Sequence, residues 1–456
     1  MYKQSCYNYF INDTAQVIYL NGISGVSFSV KEDENKKLQL LLHDLTYFKG
    51  NYPLFFNKLI EWGFVIDENR NEIDTLKAKH RIAAIENRDY HLIINPTQEC
   101  NFNCWYCYET HPTGHMTEKT VAVVKKHIKQ MIEVRRITSL NIGWFGGEPL
   151  LYFDEVVYPI SLYAKELCAA NHLPFGCGVT SNASKINPRM IKKMNEIALS
   201  NFQITLDGGE KRHNRIRNEK GKPSFDIIVR NIYHLCEQIE NIRINLRINY
   251  DDKTLEDESL ESVFNQIPSE YRKFITVDFQ RVWQTLKRSN AGNNNDCKDT
   301  LQPVENQKKL ELHEMCHELG YRCTLPSAVF NIGLTHKCYA DRYHYAHINY
   351  DGKVYSCTAR DYTDNQVFGE LVDDGQIVWK QDKIIGKIAK APFENEMCLS
   401  CKYLPLCMGP CSQAVMDAAP HNLQRICYLN REEIKPETVI IDYFKKKEKL
   451  AAQRND

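Results

Sequence analysis

Apolar residues recur along the chain with two alternating periods, and the changes of period predict its elements. Tyr7–Ile11 and Gln16–Leu20 read as strands around an Asn12-Asp13 turn, with Val26–Val30 as a third strand. Leu38–Phe48 and Pro53–Trp62 read as short helices ending near Gly63, before a brief Phe64–Ile66 strand. This is the rhythm of a small α+β or winged-helix-like module. Leu76–Glu86, with mixed charge, reads as a linker or bridging helix. Strand and helix then alternate. The predicted strands are Tyr90–Asn95, Ser139–Trp144, Phe175–Thr180, Asn201–Leu206, Ile242–Tyr250 and Phe274–Phe279. Between them lie helices Thr117–Val134, Asp154–Ala170, Pro188–Ile197 and Phe225–Gln238. The alternation argues for a parallel sheet with helical crossovers, in about six units rather than a closed eight.

Beyond residue 288 the pattern loosens. Ser289–Asp299, rich in Asn, Gly and Asp, reads as a connection, and Lys309–Gly320 as a short helix. Tyr345–Tyr355 reads as a hairpin turning at Asp351-Gly352. The tail from Lys435 reads as a helix with Val439, Ile440 and Phe444 as its contacts. Three domains are expected: an N-terminal α+β domain at 1–88, an α/β domain at 89–300 and a cysteine-rich domain with its tail at 301–456. The first is expected to cap the second or to dock a peptide, for instance by strand addition.

Composition narrows the class. The 58 basic and 58 acidic side chains cancel, so the totals do not favour a nucleic-acid partner. No long apolar run suggests a secretory signal or a membrane span, and a cytoplasmic setting is expected. The chain has 17 cysteines, and all but Cys6 lie at or beyond residue 100, in two dense groups. That distribution fits metal ligation better than a disulfide scaffold. Cys168, Cys177 and Cys236 lie in apolar or mixed segments and read as buried small hydrophobes.

The first dense group, Cys100-x3-Cys104-x2-Cys107, can grip one iron–sulfur cluster. Three thiolates leave one iron of a four-iron cube open to a ligand. Four would instead suggest a closed electron carrier or structural zinc. The array, with Tyr106 before its last cysteine, resembles the signature of the radical S-adenosylmethionine (SAM) enzymes. The resemblance implies an open (β/α)6 partial barrel. It also implies a 4Fe–4S cluster whose open iron chelates SAM, and cleavage of SAM to a 5'-deoxyadenosyl radical. Gly146-Gly147-Glu148-Pro149 matches the family's segment beside the methionine part of SAM. Thr180-Ser181-Asn182 resembles its second SAM loop, which implies roles for Ser181 and Asn182; helix capping is the rival role. Leu206-Asp207-Gly208 with His213 and Arg217 resembles a pattern of peptide-modifying members. Asp207, His213 and Arg217 are therefore candidates on the cofactor side, with local ion-pair support as the alternative. His213 and Arg217, four apart, fit one helix face. Arg243 or Arg247 is a candidate for holding a carboxylate.

The second group is Cys338, Gly352 and Cys357, then Cys398-x2-Cys401-x5-Cys407-x3-Cys411, and Cys427. It resembles the SPASM extension of peptide-modifying and anaerobic-sulfatase-maturing enzymes. That likeness implies two auxiliary 4Fe–4S clusters, three in all. Cys338, Cys357 and Cys411 would hold the nearer, with Cys323, or else Cys316, as fourth ligand. Cys398, Cys401, Cys407 and Cys427 would hold the farther. Taken in isolation, the four cysteines from Cys398 to Cys411 would also suit a zinc ribbon.

The function implied is a maturase that takes hydrogen from a ribosomally made precursor peptide and installs a thioether or carbon–carbon crosslink. A reducing partner such as flavodoxin or ferredoxin is implied with it. Formylglycine formation, epimerisation and a non-catalytic iron–sulfur scaffold are the alternatives. In sulfatase-maturing relatives an aspartate follows the cysteine corresponding to Cys357; here Thr358 does, with Asp361 out of register. No hydrogen-donor cysteine is identified for epimerisation.

Overall fold

The computed structural model describes residues 1–14, 16–251, 254, 260–282, 303–323, 330, 332, 338–418, 423–424, 426–431 and 435–452. The connection expected at 289–299 lies outside them. The chain forms two compact units, neither continuous in sequence. One comprises Met1–Glu86, Pro326–Asp341 and Lys387–Asp456, the other Asn87–Leu325 and Arg342–Gly386.

In the first unit, β1 (Tyr2–Gln4) pairs antiparallel with β5 (Val65–Asp67). β2 (Asn8–Asp13), β3 (Gln16–Asn21) and β4 (Ser27–Lys31) form an antiparallel meander. The single helix expected over Leu38–Phe48 is two, Glu32–His43 and Leu45–Asn51. Asp44 divides them: its backbone leaves the helical region and its carboxylate accepts from Tyr47 N, capping the second helix. Leu76–Glu86 lies in a helix, Glu72–Glu86. The meander's other face is covered by the C-terminal segments. Tyr9, Ile18 and Leu20 form one hydrophobic cluster with Leu406, Cys407, Val439, Ile440 and Phe444. Tyr7 and Leu76 form another with Phe393, Cys398, Leu404 and Met408.

In the second unit, six consecutive strands lie parallel and in chain order. They are β6 (Asp89–Ile94), β7 (Ser139–Trp144), β8 (Phe175–Ser181), β9 (Leu199–Leu206), β10 (Arg243–Tyr250) and β11 (Ile275–Arg281). This is the expected partial (β/α) barrel. The crossover expected as one helix over Asp154–Ala170 is α-helical only from Tyr158; a wide π turn, Phe153–Val157, precedes it. β12 (Arg322–Cys323) extends the sheet beyond β11. On the opposite edge β13 (Tyr345–Ile348) pairs parallel with β6 and antiparallel with β14 (Lys353–Tyr355), so the predicted hairpin belongs to the barrel sheet. β15 (Val367–Leu371) and β16 (Ile377–Trp379) continue it. Cys168, Cys177 and Cys236 are buried in this unit's core, as expected. No helix among the described residues is long and apolar enough to cross a membrane.

Candidate active site

The carboxyl ends of β6 to β11 converge on a cavity of about 230 Å³. Cys100, Cys104 and Cys107 line it together with Tyr106, Gly146, Gly147, Ser181, Asn182 and Arg217. The cysteine loop leaves β6 through buried Asn95, Thr97 and Gln98. Thr97 Oγ1 accepts from Glu99 N at 2.9 Å and donates to Gly114 O at 2.6 Å, while Glu99 Oε1 accepts from Gly114 N at 2.7 Å. These bonds fix both ends of the loop. Burial pushes the Cys107 thiol up to about 12, and raises Cys100 and Cys104 too. Buried thiols of this kind ionise readily only against nearby positive charge, which suits an iron–sulfur cluster.

The Gly146-Gly147 turn lies against the cysteine loop itself. Gly146 and Gly147 have φ +81 and +42. A Cβ on Gly147 would stand 2.1 Å from Glu99 O, so nothing larger than glycine fits unstrained. Glu148 N donates to Glu99 O at 2.8 Å. Glu148 is fully buried, and its carboxylate accepts from Leu150 N, Ser181 Oγ and Asn182 N at 3.0, 2.9 and 2.7 Å. It thus joins the two loops, with Pro149 starting the short turn that follows. Asn182 Nδ2 donates to Asn101 Oδ1 at 2.8 Å, back into the cysteine loop. The next helix, Pro188–Glu196, is capped by Asn187, so neither Ser181 nor Asn182 caps it.

Tyr106 is the centre of a second network. Its hydroxyl donates to Asp207 Oδ2 at 2.5 Å and accepts from Arg217 and from Asn249 Nδ2 at 2.9 and 3.0 Å. Arg217 also lies 3.5 Å from Cys104 Sγ, with its guanidinium 5.7 Å from the Phe102 ring centre. His213 and Arg217 do not share a helix face. The helix Glu210–Ile216 ends before Arg217, whose extended backbone turns its side chain to Tyr106. His213 is fully buried; its Nδ1 accepts from Asp207 N at 3.2 Å and its Nε2 meets Ser224 Oγ at 3.0 Å. Since Nδ1 accepts from an N–H, the ring proton belongs on Nε2. Burial, then the Arg217 charge, lowers the imidazole to about 3. Burial raises Asp207 to about 6 against the opposing Arg217 charge.

Glu109 is a cavity residue that the sequence analysis did not single out. Its Oε2 accepts from Gly147 N at 2.8 Å, and burial pushes its carboxyl up to about 7. The only available signal was an acid two residues past Cys107, amid aromatics. Arg247 also lines the cavity, paired with Asp278 at 3.1 Å, whereas Arg243 is exposed at the start of its strand. Gln203, Thr205, Asn249, Gln280 and Arg281 make the strand-end side polar, while Phe102, Tyr108, Phe145, Val282 and Ala359 add apolar surface.

In the other unit, Cys398, Cys401, Cys407 and Cys427 lie close enough for each charge to raise the Cys398 thiol, which burial chiefly pushes up to about 11. Cys411 begins the short helix Ser412–Asp417. Four of the expected ligands share one local geometry, in which the second following N–H points at the sulfur. The N···S distances are 3.4 Å at Cys100, 3.4 Å at Cys338, 3.3 Å at Cys357 and 3.4 Å at Cys401. Hydrogen bonds to sulfur are one means by which proteins tune iron–sulfur clusters. Among the described residues no group of three or more His, Cys, Asp and Glu side chains is arranged to hold a single metal ion.

Residues 94–261 match the model of the Radical SAM superfamily. The Fe-coproporphyrin III synthase of Methanosarcina barkeri is 25% identical over 179 residues, 39% of this chain and 41% of that protein. An uncharacterised protein of Methanocaldococcus jannaschii is 28% identical over 145 residues, 32% of this chain and 48% of its own length. The chain thus spans under half the length of these two relatives. Among solved structures, native anSMEcpe with bound AdoMet and Cp18Cys peptide superposes with a TM-score of 0.56 at 18% identity. The superposition covers 80% of this chain and 99% of that one. The crystal structure of Streptococcus suis SuiB gives 0.50 at 15% identity, over 92% and 97%. These two likenesses are of fold. The match to the Radical SAM superfamily thus holds for the segment 94–261, and a cysteine-rich region follows it.

Proposed function

We propose that the protein is a radical SAM enzyme that oxidises a side chain of a polypeptide substrate. One observation carries this reading: the three cysteines share a single cavity with both candidate SAM loops and with a polar wall of strand ends. Cys100, Cys104 and Cys107 would hold the cluster, and Gly146, Gly147, Ser181 and Asn182 would border SAM. When bound, cluster and SAM supply an electron and a 5'-deoxyadenosyl radical. The chain's own work is to hold and enclose. Glu148 ties the two loops together, and Arg217 sets positive charge beside Cys104. The Tyr106–Asp207–Asn249 network keeps that wall in place. The polar wall from Gln203 to Arg281 offers donors and acceptors to a peptide backbone. The auxiliary clusters remain part of the proposal, with Cys398, Cys401, Cys407 and Cys427 as one set.

Formylglycine-type oxidation of a peptide is the first reading, in keeping with the peptide bound in the anSMEcpe structure that shares the fold. Crosslinking is the second reading, and Thr358 favours it. No aspartate stands there; Asp361, the nearest, accepts from Thr110 N and Oγ1 at 3.2 and 3.3 Å. The test is anaerobic reaction of reconstituted protein with SAM, a reductant and candidate peptides. Substrate-dependent 5'-deoxyadenosine with a hydrazide-reactive aldehyde in the product supports the first reading. Loss of two hydrogens without an aldehyde supports the second. Unchanged peptide mass sinks both, and uncleaved SAM sinks the enzyme.

A further inference from the structure

The strand-end side of the cavity holds a cation with donors to spare. Along β10, Arg247 and Asn249 point to the same face and line the cavity. Arg247 stands level with Thr205 on β9 and with Asp278 on β11. Its Nε and Nη2 both donate to Asp278 Oδ2, at 3.3 and 3.1 Å. Asp278 is buried, and its Oδ1 accepts from Gln280 Nε2 at 2.9 Å. Both carboxylate oxygens are therefore satisfied, but the guanidinium is not. A guanidinium has five N–H groups. One on Nη2 and both on Nη1 meet no acceptor among the described residues. Asp278 grips the group along one edge and leaves the other edge of the fork unused, on a side chain that is 32% exposed. A planar pair of donors of this kind fits a second carboxylate.

The surroundings favour an anion there. Arg281 lines the same side of the cavity. Among the described lining residues the one carboxylate is Glu109, which belongs to the cysteine loop and holds Gly147 N. The candidate SAM loops follow β7 and β8, and Arg217 already sets positive charge beside Cys104. Arg247 lies two strands beyond β8, so its unused edge is left for a different ligand.

We propose that Arg247, oriented by Asp278, binds a carboxylate of the polypeptide substrate, so that the enzyme selects segments carrying an acid beside the reacting residue. The inference rests on the polypeptide reading above. It does not depend on whether the product is an aldehyde or a crosslink. The carboxylate belongs either to an Asp or Glu side chain or to the end of the peptide chain, and the two sources present the same pair of oxygens to the guanidinium. Arg247 is a specificity-determining residue in this account, and Asp278 positions it.

The test is anaerobic equilibrium dialysis of the cluster-loaded, SAM-saturated full chain against two matched pairs of probes. The first pair is acetyl-Ala-Asp-Ala-amide and acetyl-Ala-Asn-Ala-amide. The second is acetyl-Ala-Ala-Ala with a free carboxyl end and the same peptide as its amide. In one pair the acid should bind about tenfold or more tightly than the amide. Preference in the first pair assigns a side-chain acid, and preference in the second assigns the chain end. Arg247→Gln should abolish the preference. Should that variant fail to fold with Asp278 left unpaired, the double variant Arg247→Gln/Asp278→Asn removes both charges and gives the same reading. The proposal is overturned if neither acid is preferred, if the preference survives in the variants, or if the variants weaken SAM binding as much as they weaken the acid probe. 5'-Deoxyadenosine from the same preparation reads the enzyme separately. SAM cleaved without acid preference sinks this site alone, and acid preference with SAM left whole sinks the radical reading alone.

Discussion

The thiols of the barrel loop and those of the C-terminal field are held by different means. Cys100, Cys104 and Cys107 sit in a loop braced by polar groups: Thr97 and Glu99 at its ends, Asn182 on Asn101, and Arg217 beside Cys104. Most of those groups stand close in sequence to a recognisable motif. Cys398 and Cys407 instead sit in apolar clusters built with Tyr7, Tyr9, Ile18 and Leu20, from the opposite end of the chain. Tyr9 joins the two ends directly. Its hydroxyl donates to Lys402 O at 2.6 Å, and its ring stacks on Tyr403 at 5.9 Å. A polar brace fixes direction atom by atom, whereas an apolar bed fixes position only after distant segments have met.

The largest effect expected falls on the loop. Replacing Cys100, Cys104 or Cys107 with Ala should drop SAM cleavage to the no-enzyme level, read as 5'-deoxyadenosine; retained cleavage would break the contrast at its root. Next, Gly147→Ala places a Cβ on the Glu99 carbonyl at positive φ and should cost about 3 kcal/mol or more in denaturant unfolding. Tyr9→Ala removes a buried ring, worth roughly 3 kcal/mol. It should lower iron retention in the C-terminal field while SAM cleavage by the barrel persists. Equal loss of both would show that the two regions share one support.

Acid titration sharpens the account of the polar brace. His213 is held below its unfolded value, so the unfolded chain binds the extra proton and stability falls as pH drops from about 6.5 towards 3. Asp207 is raised, so its contribution is fully present below about pH 3.8 and lost as pH rises through about 6. The two slopes oppose each other between about pH 4 and 6, each near 1.4 kcal/mol per pH unit. His213→Gln should therefore flatten the acid loss and Asp207→Asn should steepen it, measured by urea midpoints across that range. Unchanged slopes in both variants would remove the assigned protonation states. The smallest effect is expected from Asn187→Ala: about 1 kcal/mol of stability for a lost cap, with SAM affinity unchanged. Ser181→Ala, which breaks a bond to Glu148, should weaken SAM binding instead.

Much of the barrel was legible because its signals are local. Ser139–Trp144 and Phe225–Gln238 are found with the predicted bounds, and the six strands fall in the predicted order. The turn at Gly352, with φ +86, was legible for the same reason. Other features were not. Asp44 stops a helix whose apolar period runs on through it, because a short acidic side chain can cap the helix that follows. Arg217 leaves the helix that its spacing suggested, because buried partners at Tyr106 draw it away. The hairpin at 345–355 gave no sign of lying beside β6, since strand periodicity does not name a neighbour.

By itself the sequence determined the period of each element, the turns that end them, and the thiol spacing that suits a cluster. All of these depend on residues within a few positions of one another. Only the tertiary structure decided that residues 1–20 would bed the C-terminal cysteines and that Glu148 would join two loops. Those outcomes rest on packing and hydrogen bonding between segments far apart in the chain, which no local pattern encodes.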